Sequence, residues 1–176
     1  MSAPFWVQSA ISGEIKMELY LLRHGVAYEG EEWARKSADD NLRPLTDAGI
    51  AAMEREAAYL KNAHTHIDMI VTSPLVRARD TARIVGKALG LEPRESDLLK
   101  PGFNTKDLAA LLEEYAQVEH LMLVGHNPDL GQVIQRVTGG EPVDVPKGGL
   151  ARLDILQRNP PRGTLYSLLP PKALGA

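Results

Sequence analysis

The sequence predicts an α/β fold: a three-layer α/β/α sandwich around a mainly parallel central sheet, in a single domain. Three observations carry that prediction. Short apolar runs alternate along the chain with segments of helical periodicity. The first three of these runs each end in polar residues that open the next segment. A length of 176 residues, 44% of them hydrophobic and 24% charged, is ordinary for one soluble globular unit with a sizeable core.

Taken in order, residues 1–16 (MSAPFWVQSAISGEIK) form an extension ahead of a domain that starts at Met17 and runs over 17–170, with 171–176 as a tail. Residues 18–23 (ELYLLR) are a buried strand. In 46–63 a helix places Ile50, Met53, Ala57 and Leu60 on one face, with Thr46 as its N-cap. Residues 67–73 (IDMIVTS) are a second strand. The segment after it is a helix with Ser73 as N-cap, Pro74 in the first helical position and Gly90 past the end, and its core stripe is Leu75, Ala78, Ala82, Val85 and Leu89. A helix over 105–116 buries Leu108, Leu111, Leu112 and Tyr115, and 120–126 (HLMLVGH) is a third strand. Asn127 caps the next helix with Pro128 first inside, and Gly139-Gly140 stop it. Two extended runs near 149–156 and 164–169, separated by the turn-like QRNPPRG, are expected to add antiparallel edges.

Composition excludes several classes of function. The net charge of −3 gives no footprint for nucleic acid or an anionic membrane, so attraction for an anion has to be local. The absence of cysteine removes disulfides, thiolate nucleophiles and cysteine metal sites together. No apolar run approaches the ~20 residues that cross a bilayer. The first 16 residues lack a basic n-region, which argues against a secretory signal. The expected location is cytoplasmic.

The chemistry collects at strand ends. Strand one runs into Arg23-His24-Gly25, strand two into Thr72-Ser73-Pro74 with Arg77 one turn on, and strand three into Gly125-His126-Asn127. In a parallel sheet these are carboxyl ends, the edge where α/β proteins hold their ligands. Two helix N-termini at the same edge favour an anion. Arginine grips phosphate oxygens through a planar fork. A neutral imidazole can attack phosphorus and hold the phosphoryl group covalently, and nearby arginines keep His24 unprotonated for that task. A second imidazole, protonated beside the bound dianion, stabilises charge on its oxygens. No step in this scheme requires a metal or other cofactor.

The three motifs LLRHG, TSPLVRARDTA and LVGHNP, in that order and each on the expected element, resemble the histidine phosphatase superfamily with its phosphoglycerate-mutase-like fold. The resemblance runs over residues 17–156. It implies that His24 is the nucleophile that becomes a phosphohistidine, and that Arg23, Arg77 and His126 complete the phosphate pocket. RPLT is similar to a segment of the small members whose arginine, here Arg43, lies beside that pocket. Arg79 does not fit the motif, and Asp80 stands where the family often has Gln. The short form, with VGHNP and RPLT and no roofing insertion, most resembles the SixA-type phosphohistidine phosphatases.

That resemblance implies hydrolysis of phosphohistidine on a protein partner, with phosphate or sulfate expected in the pocket. Lys100 lies where larger relatives carry a general acid, and Asp97 and Glu95 are the candidate proton donors. Loss of a clear acid suits P–N cleavage, since a protonated imidazole leaves without one. Two other functions compete: a phosphatase of small phosphomonoesters such as sugar phosphates, and a non-catalytic phosphoryl-binding module. His64, His66 and His120 read as loop or strand-edge residues. The acidic 28–41 segment reads as a solvated connection bordering the site, with Trp33 as a minor docking candidate.

Overall fold

The structure, a computed structural model, describes residues 16–37 and 39–174, so the expected N-terminal extension lies outside it except for Lys16. Four strands run parallel: β1 (Met17–Arg23), β2 (Met69–Thr72), β3 (Arg94–Glu95) and β4 (His120–Gly125). β5 (Leu150–Arg158) and β6 (Pro161–Leu169) are antiparallel, and the sheet order is β3-β2-β4-β1-β5-β6. The two antiparallel strands of the sequence reading are present, but only β6 is an edge, because β5 pairs with β1 on its other side. Both reach into QRNPPRG, leaving Asn159 and Pro160 as the turn.

Period-2 alternation distributes each central strand between two cores. Leu19 and Leu21 of β1, with Leu121 and Leu123 of β4, pack under α4 (Thr105–Glu114) and α5 (Asp129–Thr138) against Leu108, Leu111, Leu112, Val133 and Ile134. Tyr20, Leu22, Met122 and Val124 face the other way, under α2 (Asp47–Asn62) and α3 (Val76–Leu89), against Met53, Ala57, Leu60, Ala78, Ala82 and Val85. Each buried Leu or Met side chain contributes roughly 1.5–3 kcal/mol. The result is the expected three-layer sandwich.

Helix starts depart from the sequence reading where a capping side chain is engaged elsewhere. Thr46 caps α2 as expected, accepting from the Gly49 N–H at 3.0 Å. Ser73 does not cap α3: that helix begins at Val76 with Leu75 in the cap position. A residue before proline resists helical backbone, and the Ser73 hydroxyl, which accepts from the Leu75 N–H at 3.3 Å, also meets His126 Nε2. Likewise α5 begins at Asp129 with Pro128 at the cap, because the Asn127 amide donates to Asp144 at 2.8 Å and to the Val145 carbonyl at 2.9 Å. At α4, Asn104 and Asp107 form a reciprocal capping box. Periodicity misses two short elements, the five-residue helix α1 (Gly30–Ala34) inside the expected connection and the two-residue strand β3. The expected tail holds a 3-10 turn over Pro171–Leu174.

Gly49 shows how closely α2 approaches the segment leaving β1. A Cβ there would lie 2.0 Å from the Val26 carbonyl oxygen. Helix propensity alone favours alanine by about 1 kcal/mol, whereas backbone overpacking costs about 1–3 kcal/mol. Gly49→Ala is therefore expected to lower stability by about 1 kcal/mol or more in urea denaturation; a gain would show that α2 moves off the loop without cost.

Candidate active site

Sheet register explains why residues a hundred positions apart meet. Arg23 of β1 pairs with Gly125 of β4, so the next residues, His24 and His126, leave the sheet side by side. Their ring centroids lie 5.2 Å apart with the planes tilted by 56°. Thr72 of β2 pairs with Val124, which carries Ser73 to the same edge, and its hydroxyl lies 2.9 Å from His126 Nε2. Arg77 follows in the first turn of α3. The sheet edge thus assembles His24, His126, Arg23 and Arg77.

A hydrogen bond fixes the tautomer of His24. His24 Nδ1 lies 2.8 Å from the Gly25 carbonyl. A carbonyl only accepts, so the proton sits on Nδ1 and Nε2 keeps its lone pair. Burial, reinforced by the charges of Arg77, Arg23 and Arg43, pushes the imidazole down to about 4, opposed by that carbonyl. For His126 burial again dominates, with His24 and Arg77 adding to it, and its value falls to about 3. Both rings are neutral at physiological pH. They are 7% and 5% exposed, and Arg77 is 4% exposed, so each meets a ligand with little intervening water.

Both arginines are anchored by one end. Arg23 Nη1 donates to the Val145 carbonyl at 2.8 Å, and Arg77 Nη1 donates to the Asp40 carbonyl at 3.0 Å. Arg23 Nε, Arg77 Nε and His126 Nδ1 are buried without a hydrogen-bond partner among the described residues. A buried donor left unmade costs about 1–3 kcal/mol. Two arginine donors of this kind, with the partnerless His126 Nδ1 beside them, fit an anion with several acceptor oxygens.

The backbone around His24 is tied on every side. Its N–H donates to the Gly125 carbonyl at 3.1 Å, and the Gly148 N–H reaches the carbonyls of Arg23 and His24 at 3.2 and 3.1 Å. The Gly25 N–H donates to Thr81 Oγ1 at 3.0 Å, and that hydroxyl donates to the Arg77 carbonyl at 2.7 Å. Thr81 was outside the sequence reading, although its place four residues after Arg77 sets it on the same helix face.

The remaining candidates lie further out. Arg43 Nη1 donates to the Tyr28 carbonyl at 2.7 Å, and its Nε meets the Asp40 carboxylate at 2.7 Å. Glu95 lies in β3 opposite Thr72, and Asp97 pairs with Lys100 Nζ at 2.9 Å. Neither carboxylate shares a hydrogen bond or ion pair with the two histidines or three arginines among the described residues. Trp33 donates its indole N–H to the Asp39 carbonyl at 3.0 Å. His120 pairs with Asp68 at 2.9 Å at the opposite end of the sheet. Sequence reasoning misses Asp40 as well as Thr81; the one signal for Asp40 is an acid three positions before an arginine.

Comparison with known proteins places the chain among relatives of known sequence and fold. Residues 19–101 match the model of the histidine phosphatase superfamily (branch 1). An uncharacterized protein of Picosynechococcus sp. is 39% identical over 128 residues, 71% of this chain and 75% of that protein. Phosphohistidine phosphatase SixA of Escherichia coli K12 is 29% identical over 131 residues, 71% of this chain and 76% of that one. The solved structure of the protein histidine phosphatase SixA complexed with tungstate superposes with a TM-score of 0.78 at 25% identity, over 90% of this chain and 99% of that one. Register-paired histidines, arginines anchored at one end, and similarity in both sequence and fold lead to one assignment: the chain belongs to the histidine phosphatase superfamily, in its SixA-type form.

Proposed function

We propose that this protein is a metal-independent phosphohistidine phosphatase that works through a phosphohistidine on His24. The observation that carries the reading is the unprotonated Nε2 of buried His24 beside three partnerless buried nitrogens, Arg23 Nε, Arg77 Nε and His126 Nδ1. Superfamily membership supports a phosphatase, and the likeness to SixA points to phosphohistidine on a protein as its substrate.

The reaction proceeds in two displacements. His24 Nε2 attacks phosphorus, and the bond from phosphorus to the substrate imidazole breaks as the new P–N bond forms. The substrate ring departs neutral, having entered with its distal nitrogen protonated. Arg23 and Arg77 take the equatorial oxygens through their Nε edges. The bound dianion draws a proton onto His126, which then donates from Nδ1 to the phosphoryl group while Ser73 Oγ accepts from Nε2. Water next attacks phospho-His24, releasing phosphate and restoring the neutral imidazole. Arg43 stands by as an outer guanidinium, and Asp97 or Glu95 serves as proton donor only if a loop brings it in.

An alkoxide leaving group needs a proton that an imidazolium does not. Two carboxylates pair with the site arginines: Asp144, 4.0 Å from Arg23 Nη1, and Asp40, which its hydrogen bond to Arg43 and the charge of Arg77 hold below the usual carboxylate range, so that it stays ionised. That favours P–N over P–O cleavage. The direct test compares turnover of a phosphohistidine-bearing protein with a set of phosphosugars, in EDTA. The expected result is P–N hydrolysis faster by a factor of about 100 or more in kcat/KM, the size of a missing general acid. Faster ester turnover would replace this reading with a small-ester phosphatase.

A further inference from the structure

Asp40 belongs to none of the roles above, yet it touches two of the arginines. It opens a 3-10 turn, Asp40–Leu42, capped by Asp39, whose side chain accepts from the Asn41 N–H. Its carboxylate takes Arg43 Nε at 2.7 Å through Oδ1, and Oδ2 lies 3.2 Å from Arg77 Nη1. That same Nη1 donates to the Asp40 carbonyl at 3.0 Å. One residue therefore holds one end of Arg77 from both main chain and side chain. Arg43 carries the tie onward to the Tyr28 carbonyl, four residues past His24.

The grip is selective. It occupies Nη1 of Arg77 and leaves Nε buried without a partner among the described residues. The arrangement also solves a charge problem, because burial and then the neighbouring Arg43 disfavour the charge on Arg77, and a carboxylate between the two arginines opposes both. Charge-assisted bonds of this length are short and directional, which suits them to orienting a planar fork.

We propose that Asp40 is a positioning residue: its carbonyl and carboxylate together clamp Nη1 of Arg77, present the Nε edge to the transferring phosphoryl group, and keep Arg43 alongside. The inference rests on Arg77 being a phosphoryl ligand, as in the reading above. Asp40 acts through Arg77 and makes no contact with substrate. The opposite role, a resident anion competing with phosphate for the arginines, gives effects of opposite sign.

The test measures inorganic phosphate binding by titration calorimetry in the wild type, Asp40→Asn, Asp40→Glu, Arg77→Ala and the Asp40→Asn/Arg77→Ala double variant. The Arg77 Nε–H resonance is followed in parallel by nitrogen-15 NMR. Asp40→Asn is expected to weaken phosphate about tenfold, the worth of one well-oriented charged contact. It should broaden the Nε–H resonance while leaving the melting temperature unchanged, since more than half of the Asp40 side chain is exposed. Asp40→Glu should recover most of the affinity, and the double variant should bind no more weakly than Arg77→Ala alone. Tighter phosphate binding in Asp40→Asn, an additive loss in the double variant, or an unchanged Nε–H resonance overturns the proposal. Phosphate binding and the resonance are read without turnover. A wild type that binds phosphate through Arg77 but hydrolyses nothing would sink the phosphatase reading and leave the role of Asp40 decided on its own.

Discussion

Replacing His24 with alanine is expected to lower turnover at least about 10⁴-fold, the loss seen when a covalent nucleophile is removed, while inorganic phosphate still binds. Nε2 of His24 is the attacking atom of the proposed mechanism, set by the Nδ1–H bond to the Gly25 carbonyl. Arg23, Arg77 and His126 survive the substitution, and with them most of the oxyanion contacts. Two further readouts tie the loss to the covalent step. Wild type exposed to labelled substrate should trap an acid-labile, base-stable phosphoenzyme that is missing from His24→Ala. Because burial holds the His24 imidazole near 4, kcat/KM of the wild type should show no acid limb assignable to this ring between pH 8 and 5. A variant keeping a tenth of wild-type turnover would move the nucleophile elsewhere, with His126 first in line.

The amino-acid sequence specified the site more fully than it specified the elements around it. Arg23, His24 and His126 were legible because each sits where a strong apolar run ends, and Arg77 because it lies one turn into the helix that follows such a run; strand ends are fixed by burial. The register Arg23 to Gly125 then does the rest. The helix starts lie two residues after the Ser73 cap reading and one residue after the Asn127 reading, because both side chains serve long-range partners, His126 and the 144–145 segment, that local capping rules do not contain. Asp40 was invisible for a related reason. Its contacts join the 39–43 loop to Arg77 of α3, while Arg43 links the same loop to the Tyr28 carbonyl, and no periodic pattern reports a contact between an exposed loop and a buried arginine 37 residues on. Glu56 was passed over as one more polar residue of α2, since the alternation that marked Met53, Ala57 and Leu60 says nothing of a buried acid beside them.

Glu56 leads to the largest expected effect on stability. It is fully buried, neither carboxylate oxygen has a hydrogen-bond partner among the described residues, and burial alone pushes its carboxyl up to about 8. It packs against Gly148, whose N–H ties down the carbonyls of Arg23 and His24. The folded protein therefore keeps a proton that the unfolded chain, with an ordinary carboxyl near 4.5, gives up. Stability from this group is fully present below about pH 4.5, falls as pH rises from 4.5 to 8, and levels off above 8 once both states are ionised. At pH 7, about 2.5 pH units into that window, the linkage costs about 3 kcal/mol. Glutamine reproduces the shape of the protonated acid and never ionises. Glu56→Gln should accordingly be more stable than wild type by about 3 kcal/mol at pH 7, with the gap closing to near zero at pH 4.5. Denaturant titrations of both proteins from pH 4.5 to 8 decide the matter. Parallel stability curves would mean that Glu56 ionises in place, and that the turn under the nucleophile admits the water needed to solvate it.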